Sequence, residues 1–280
     1  MKISQIGSAL ALAGLLTVAP AYSGNIVLTG HDNDLHGNSG SPQATAALAA
    51  ELVFVRNGSS LPVLSFDAGS QLTSQLTSLG VGFTNVNPTA ANVLDSLFDP
   101  TRFSAFVVAS VSTCGGCDNP VGTGSILATH FAAIVSFFNA GRGILGLAGA
   151  TDALAYAYVP SAATNAGGSP PSNGFVQTAD GALLGIPPVN GDITHNFFSE
   201  PGTAGLSSAY VVVERVLNAT TGTPETIALR GGTIVCPPGS IPSGGTCTID
   251  TGKVPEPSSL ALMALALAGL LGFTKRRRNT

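Results

Sequence analysis

The stretch Leu28–Gly37, LTGHDNDLHG, holds two histidines and two aspartates within six residues: His31, Asp32, Asp34 and His36. Imidazoles and carboxylates together are the donor set of zinc, manganese and iron sites. Asp32, Asn33 and Asp34 with backbone carbonyls could instead hold calcium, although no glutamate closes a full calcium loop. A divalent metal there would activate water for hydrolysis. Without a metal, a His–Asp pair could act as a general base. The competing reading is a polar loop, because Asp and Asn also cap helices and form local turns. His195, in NGDITHNFF with Asp192, lies in a separate polar segment and is the remaining candidate ligand. His130 falls between Ile126 and Ile134 and reads as a histidine at the edge of the core.

The four cysteines form two local pairs, Cys114 with Cys117 in STCGGCDN and Cys236 with Cys247 in CPPGSIPSGGTC. In an exported chain an even count favours disulfides, and local pairing is the simplest of three connectivities. A zinc knuckle and a redox-active Cys-x-x-Cys stay open as alternatives. No Gly-x-Ser-x-Gly elbow, Walker loop or His-Glu-x-x-His occurs. Gly141-Arg142-Gly143 reads as a helix-to-strand turn with a structural arginine. Tyr156 and Tyr158 could stack on sugar rings, but a chain with no tryptophan offers no dedicated aromatic platform.

What would position these residues is an alternation of strand-like and helix-like segments. Asn25–Leu28 is a β-rich apolar run; Ser41-Pro42 then supplies an N-cap and a proline at the first helical position. Leu48, Leu52 and Val55 follow on one helical face. Leu61–Asp67 reads as a strand, Leu72, Leu76 and Leu79 as a helix ended by Gly80, and VGFTNV as a strand. Val93–Phe98 predicts a short helix and Phe103–Ser110 a buried strand. Leu127, Phe131, Ile134, Val135 and Phe138 predict the longest amphipathic helix, before the glycine-rich strand exit Gly143–Ala150. Ala209–Leu217 and Glu225–Arg230 are further strands within a looser, turn-rich second half. The pattern predicts an α/β fold, doubly wound, with a mainly parallel sheet covered by helices on both faces and an irregular C-terminal part. In such a sheet ligands bind beyond the carboxyl ends of the strands. His31–His36, Asp67, the Cys114–Asp118 loop and Thr151-Asp152 all fall on that edge.

The two ends concern destination. Residues 1–23 have a lysine, an apolar stretch and then Ala21 and Ser23 before Gly24, the pattern of a signal peptide cut by signal peptidase. Residues 254–280 carry Pro255-Glu256-Pro257, an apolar run from Leu260 to Phe273, and the basic cluster Lys275, Arg276, Arg277 and Arg278. That run predicts a C-terminal hydrophobic helix, short of the roughly 20 residues of a comfortable span, with its basic flank on the cytoplasmic side. Between the ends lie a body, 24–235, and a cysteine-containing linker, 236–253. Without the targeting segments the chain keeps six basic and fourteen acidic residues, a net charge of −8. Such a surface repels phosphate backbones, so nucleic acid is excluded as a partner.

The tail resembles the PEP-CTERM sorting signal of Gram-negative bacteria in all three parts and their order. The resemblance implies recognition by an exosortase, a membrane transpeptidase, and anchorage in the membrane only until processing. It further implies a place in the cell envelope, cell surface or extracellular matrix, with extracellular polysaccharide as a partner. A second resemblance is carried by FAAIVSFFNAGRGILGLAGATD, Phe131–Asp152. It is similar to the helix–turn–strand–turn core of the class I glutamine amidotransferase-like fold, and closer to its ThuA-like branch. The resemblance implies a nucleophile elbow at the turn, where this chain has Ala148. Alanine carries no nucleophile, so thiol amidotransferase activity is not expected. Two functions remain: a non-enzymatic envelope protein associated with exopolysaccharide, or a metal-dependent hydrolase of glycan or envelope material using the His31–His36 loop.

Overall fold

The structure is a computed structural model that describes residues 24–167, 171, 173–190, 195–217, 221–235 and 248–250. The expected signal peptide, the Cys236–Cys247 pair and the C-terminal helix lie outside these residues, as does Asp192.

β1 (Asn25–Thr29) is buried along its whole length. It pairs in parallel with β5 (Gly143–Gly146) on one side and antiparallel with β10 (Pro224–Arg230) on the other. A strand enclosed at both edges and covered on both faces has no polar face, hence the unbroken apolar run Ile26-Val27-Leu28. The main sheet has eight strands in the order β3-β2-β4-β5-β1-β10-β9-β7. Its parallel part adds β2 (Val63–Phe66), β3 (Phe83–Val86) and β4 (Ala105–Val108). Its antiparallel part adds β7 (Phe175–Gln177) and β9 (Val211–Val216). The α/β class is as the alternation predicts; the antiparallel half is what the looser second half of the sequence builds. Two short pairs stand outside this sheet: β6 (Asn165–Gly167) with β8 (Phe197–Phe198), and β11 (Thr233–Val235) with β12 (Thr248–Asp250).

From β1 the chain moves in one direction across the sheet to β2 and β3, then reverses through β4 to β5. Right-handed crossovers then put the first helices on one face and the later ones on the other. The core divides accordingly. Val27, Val63, Val107 and Leu145 face Leu48, Leu52 and Val55 of α2 (Pro42–Arg56) and Leu72 and Leu76 of α3 (Gln71–Ser78). Their strand neighbours Ile26, Leu28, Leu64, Phe106 and Ile144 face Ile134, Phe137 and Phe138 of α5 (Phe131–Asn139). Chain leaving β1 therefore turns to one face, and chain leaving β5 to the other, where Tyr156 and Tyr158 are buried. In doubly wound sheets such a divergence at the carboxyl edge is where ligands bind.

Several local expectations change. The long amphipathic helix is two, α4 (Thr123–Ala128) and α5, because the turn at Thr129-His130 bends the chain between them. The longest described helix is α2, started by Ser41 Oγ accepting the Ala44 N–H and ended by Asn57 in the left-handed region. Val93–Phe98 forms only a single 3-10 turn at Asp95–Leu97. Tyr156 and Tyr158 are core residues and present no ring to a sugar. His130 sits at the core edge beside Phe98, its Nδ1 2.6 Å from Asp95 Oδ1. One further helix, α6 (Ala179–Leu184), is capped by Thr178.

Candidate functional site

The His31–His36 segment is not a loop. Asn33–Asn38 forms a short helix, α1, packed on α2 and α3, and His31, Asp32, Asn33 and Asp34 are fully buried. His31 and Asp32 precede this helix while Asp34 and His36 lie within it, and the four candidate side chains point to different partners.

His31 points into the antiparallel half of the sheet. Its Nε2 lies 2.9 Å from Glu214 Oε2 and 3.9 Å from Glu225 Oε1, with the Phe175 ring edge-on to the imidazole. Glu214 also accepts the Val189 N–H and the Thr226 hydroxyl. Buried carboxylates need such donors to stay solvated, and His31 joins β1 to β9 and β10. Asp34 turns the other way. It accepts the Ser110 N–H at 2.9 Å and the Ser110 hydroxyl at 2.6 Å, which fixes the chain leaving β4. Burial pushes its carboxyl up to about 6 despite these bonds. Beneath it Glu51 of α2, bonded by Asn33 Nδ2, is pushed up to about 7, chiefly by burial and then by the charges of Glu214 and Asp34.

Asp32, fully buried, lies between two partly exposed histidines. Its Oδ2 lies 3.1 Å from His195 Nε2, and its Oδ1 lies 3.4 Å from His36 Nε2. Burial would raise this carboxyl, but the hydrogen bonds and charges of the two imidazoles outweigh it and hold Asp32 below the usual range. His195 is brought in by its own N–H bonding to Gly30 O, across 165 residues of chain. The expected convergence thus holds for Asp32, His36 and His195, and fails for His31 and Asp34.

The third element of the edge is the Ser110–Asn119 loop. Cys114 and Cys117 form a disulfide with Cα atoms 5.7 Å apart, within the ordinary span. The loop base is closed by Ser112 N–H to Asn119 O and Asn119 N–H to Ser110 O. Asn119 itself ties the loop to Phe66, Ala68 and Ala109. One atom each from Asp32, Cys114 and His195 lie within 4.8 Å of one another, a possible cation cluster. With Cys114 Sγ bonded to Cys117, that cluster offers two ligands, fewer than the three protein ligands of a catalytic zinc site.

The other acids on this edge serve helices. Asp118 accepts the Ser70 and Gln71 N–H groups and Asp67 that of Thr73, so both carboxylates cap α3. Burial, and then the nearby Asp118 charge, raise Asp67. Asp152 accepts the Gly122 N–H ahead of α4.

The turn after β5 contains a residue the sequence reading missed. Asn196 Oδ1 accepts the N–H groups of Gly149 and Ala150, at 2.8 and 3.1 Å, and Tyr156 OH also contacts the Gly149 N–H. Ala150 has φ 46°, a sharp turn in the left-handed region. Both backbone donors of this turn are thus taken by the Asn196 side chain. Nothing in the sequence marks Asn196 for this, because it lies 47 residues away on another segment.

Residues 253–278 match the PEP-CTERM protein-sorting motif. That motif marks proteins exported to the cell surface of Gram-negative bacteria and processed by exosortase. No curated protein and no solved structure matches the chain.

Proposed function

We propose that the chain is a surface component associated with extracellular polysaccharide, whose 24–235 body acts by binding and not by hydrolysis. The observation that carries the reading is the sorting motif at residues 253–278. It is supported by the acidic, lysine-poor body and by the state of the turn after β5. If that turn derives from the amidotransferase-like fold that Phe131–Asp152 resembles, its nucleophile position holds buried Ala148 and its oxyanion donors hold Asn196. The sharp turn at Ala150 is what favours that derivation. Hydrolysis by a metal in the His31–His36 segment is disfavoured because His31 and Asp34 are committed to Glu214 and Ser110. In the proposed organisation residues 1–23 are removed on export, 236–253 link the body to the tail, and 254–280 hold the chain in the membrane until exosortase acts.

The test is fractionation of strains with and without exosortase, and with and without polysaccharide synthesis. The expected result is a shorter surface form in the parent, a longer membrane-bound form without exosortase, and release into the medium without polysaccharide. An identical size with and without exosortase refutes the sorting step. Surface retention that ignores the loss of polysaccharide refutes the association.

A further inference from the structure

The two sulfurs at the carboxyl edge are not equivalent. Cys117 is buried, its Sγ 3.5 Å from Asp32 Oδ2. Cys114 is partly exposed and ends the short 3-10 turn Ser112–Cys114. The Cys117 N–H donates to Cys114 Sγ at 3.0 Å, and a ring nitrogen of His195 lies within 4.8 Å of the same sulfur. An N–H donor and an imidazole are what stabilise a thiolate at an attacking cysteine. A carboxylate beside the partner sulfur is what can manage its proton.

We infer that Cys114–Cys117 is a redox-active disulfide that exchanges with an external dithiol at the carboxyl edge of the sheet. This is an activity beyond polysaccharide association and does not depend on it. The loop it closes is of the shortest kind, where chain-entropy stabilisation is smallest, while its base is already closed by Ser110, Ser112 and Asn119.

In the exchange a dithiol thiolate attacks Cys114 Sγ, the accessible sulfur. The Cys114–Cys117 bond breaks, its electron pair goes to Cys117 Sγ, and a mixed disulfide forms on Cys114. Cys117 takes one proton from solvent through the Asp32–His195 pair. The second thiolate of the dithiol then attacks its own sulfur in the mixed disulfide. Cys114 leaves as a thiolate held by the Cys117 N–H and His195. Two electrons have passed from the dithiol to the protein disulfide; the dithiol has released two protons, of which Cys117 keeps one. Asp32 and His195 are positioning residues here, and Cys114 is the reacting atom's owner.

The experiment uses the exported chain, with reaction sites located by peptide mass mapping so that Cys236 and Cys247 are scored separately. The oxidised chain is exposed to reduced glutathione and, in a second arm, to a Cys-x-x-Cys dithiol peptide. The expected result is glutathione or peptide on Cys114 and not on Cys117, with the dithiol peptide carrying exchange to completion. In the reduced chain iodoacetamide should modify Cys114 about tenfold or more faster than Cys117 at neutral pH. His195→Ala should slow Cys114 alkylation. Asp32→Asn should slow closure of a glutathione mixed disulfide by Cys117 more than it changes Cys114 alkylation, whereas His195→Ala should act mainly on Cys114, a split that a merely structural role would not produce. Cys117→Ser, which leaves Cys114 as a free thiol, should exchange with oxidised glutathione to a stable mixed disulfide on Cys114, releasing one reduced glutathione; if this variant does not fold, the wild-type alkylation ratio decides. Equal alkylation rates, adducts on Cys117, a disulfide untouched by excess dithiol in the folded chain, or stoichiometric zinc capture in place of exchange would each overturn the inference.

Discussion

Glu51→Gln should stabilise this protein at neutral and alkaline pH and do nothing in acid. Glu51 is buried between α1 and the sheet, and Asn33 Nδ2 is its hydrogen-bond donor at 3.2 and 3.3 Å. Burial, with Glu214 and Asp34 nearby, raises the carboxyl from 4.5 to about 7. A raised carboxyl binds its proton more tightly folded than unfolded. Stability is therefore fully present below pH 4.5 and is lost as pH rises through about 7. At about 1.4 kcal/mol per pH unit, ionising Glu51 in place costs about 3 kcal/mol. Glutamine has the same shape, still accepts from Asn33 and never ionises. The variant should gain about 3 kcal/mol at pH 8, or about 1 M in urea midpoint for a typical slope. Below pH 4.5 the two proteins should unfold together. Urea titrations at several pH values, followed by circular dichroism, give the difference curve. A variant less stable than the parent at pH 8, or a difference that does not change with pH, would refute the reasoning.

Other consequences follow from the same geometry. Asp34→Ala removes the acceptor of two buried Ser110 donors and should cost about 2–4 kcal/mol in thermal unfolding. His36→Ala or His195→Ala removes a donor that holds Asp32 low while burial remains; carboxyl NMR titration should show Asp32 moving up, with acid unfolding beginning at higher pH. Replacing both Cys114 and Cys117 by alanine opens only a very short loop and should cost about 2 kcal/mol or less; a loss well above this would mean that the loop base does not hold by itself. With Cys114 Sγ held in the disulfide, the oxidised chain should retain less zinc after dialysis than the reduced chain, measured by elemental analysis.

The local pattern was legible wherever one element carried its own signal. Ser41-Pro42 announced α2, and Leu72 and Leu76 announced the buried stripe of α3. The apolar run 131–138 did not reveal the break at Thr129-His130, because both helices present apolar residues to one core and periodicity alone carries on across the turn. At the site, types and spacing located the right segment and misread its form. Asp32, Asn33 and Asp34 looked like loop residues because their usual work is capping and turning. Here distant partners absorb their polarity, so a buried helix is possible.

By itself the sequence determined where this protein is sent and which residues could do chemistry. Sorting depends on a contiguous tail, and candidacy depends on side-chain type. Only the tertiary structure decided what those residues are used for. His31 goes to Glu214, 183 residues away; His195 comes to Asp32 across 163 residues; Asn196 fills the turn at Gly149. A buried polar group must be satisfied by whatever the fold brings within about 3 Å. That neighbour is set by strand order and crossover handedness, which no local spacing encodes.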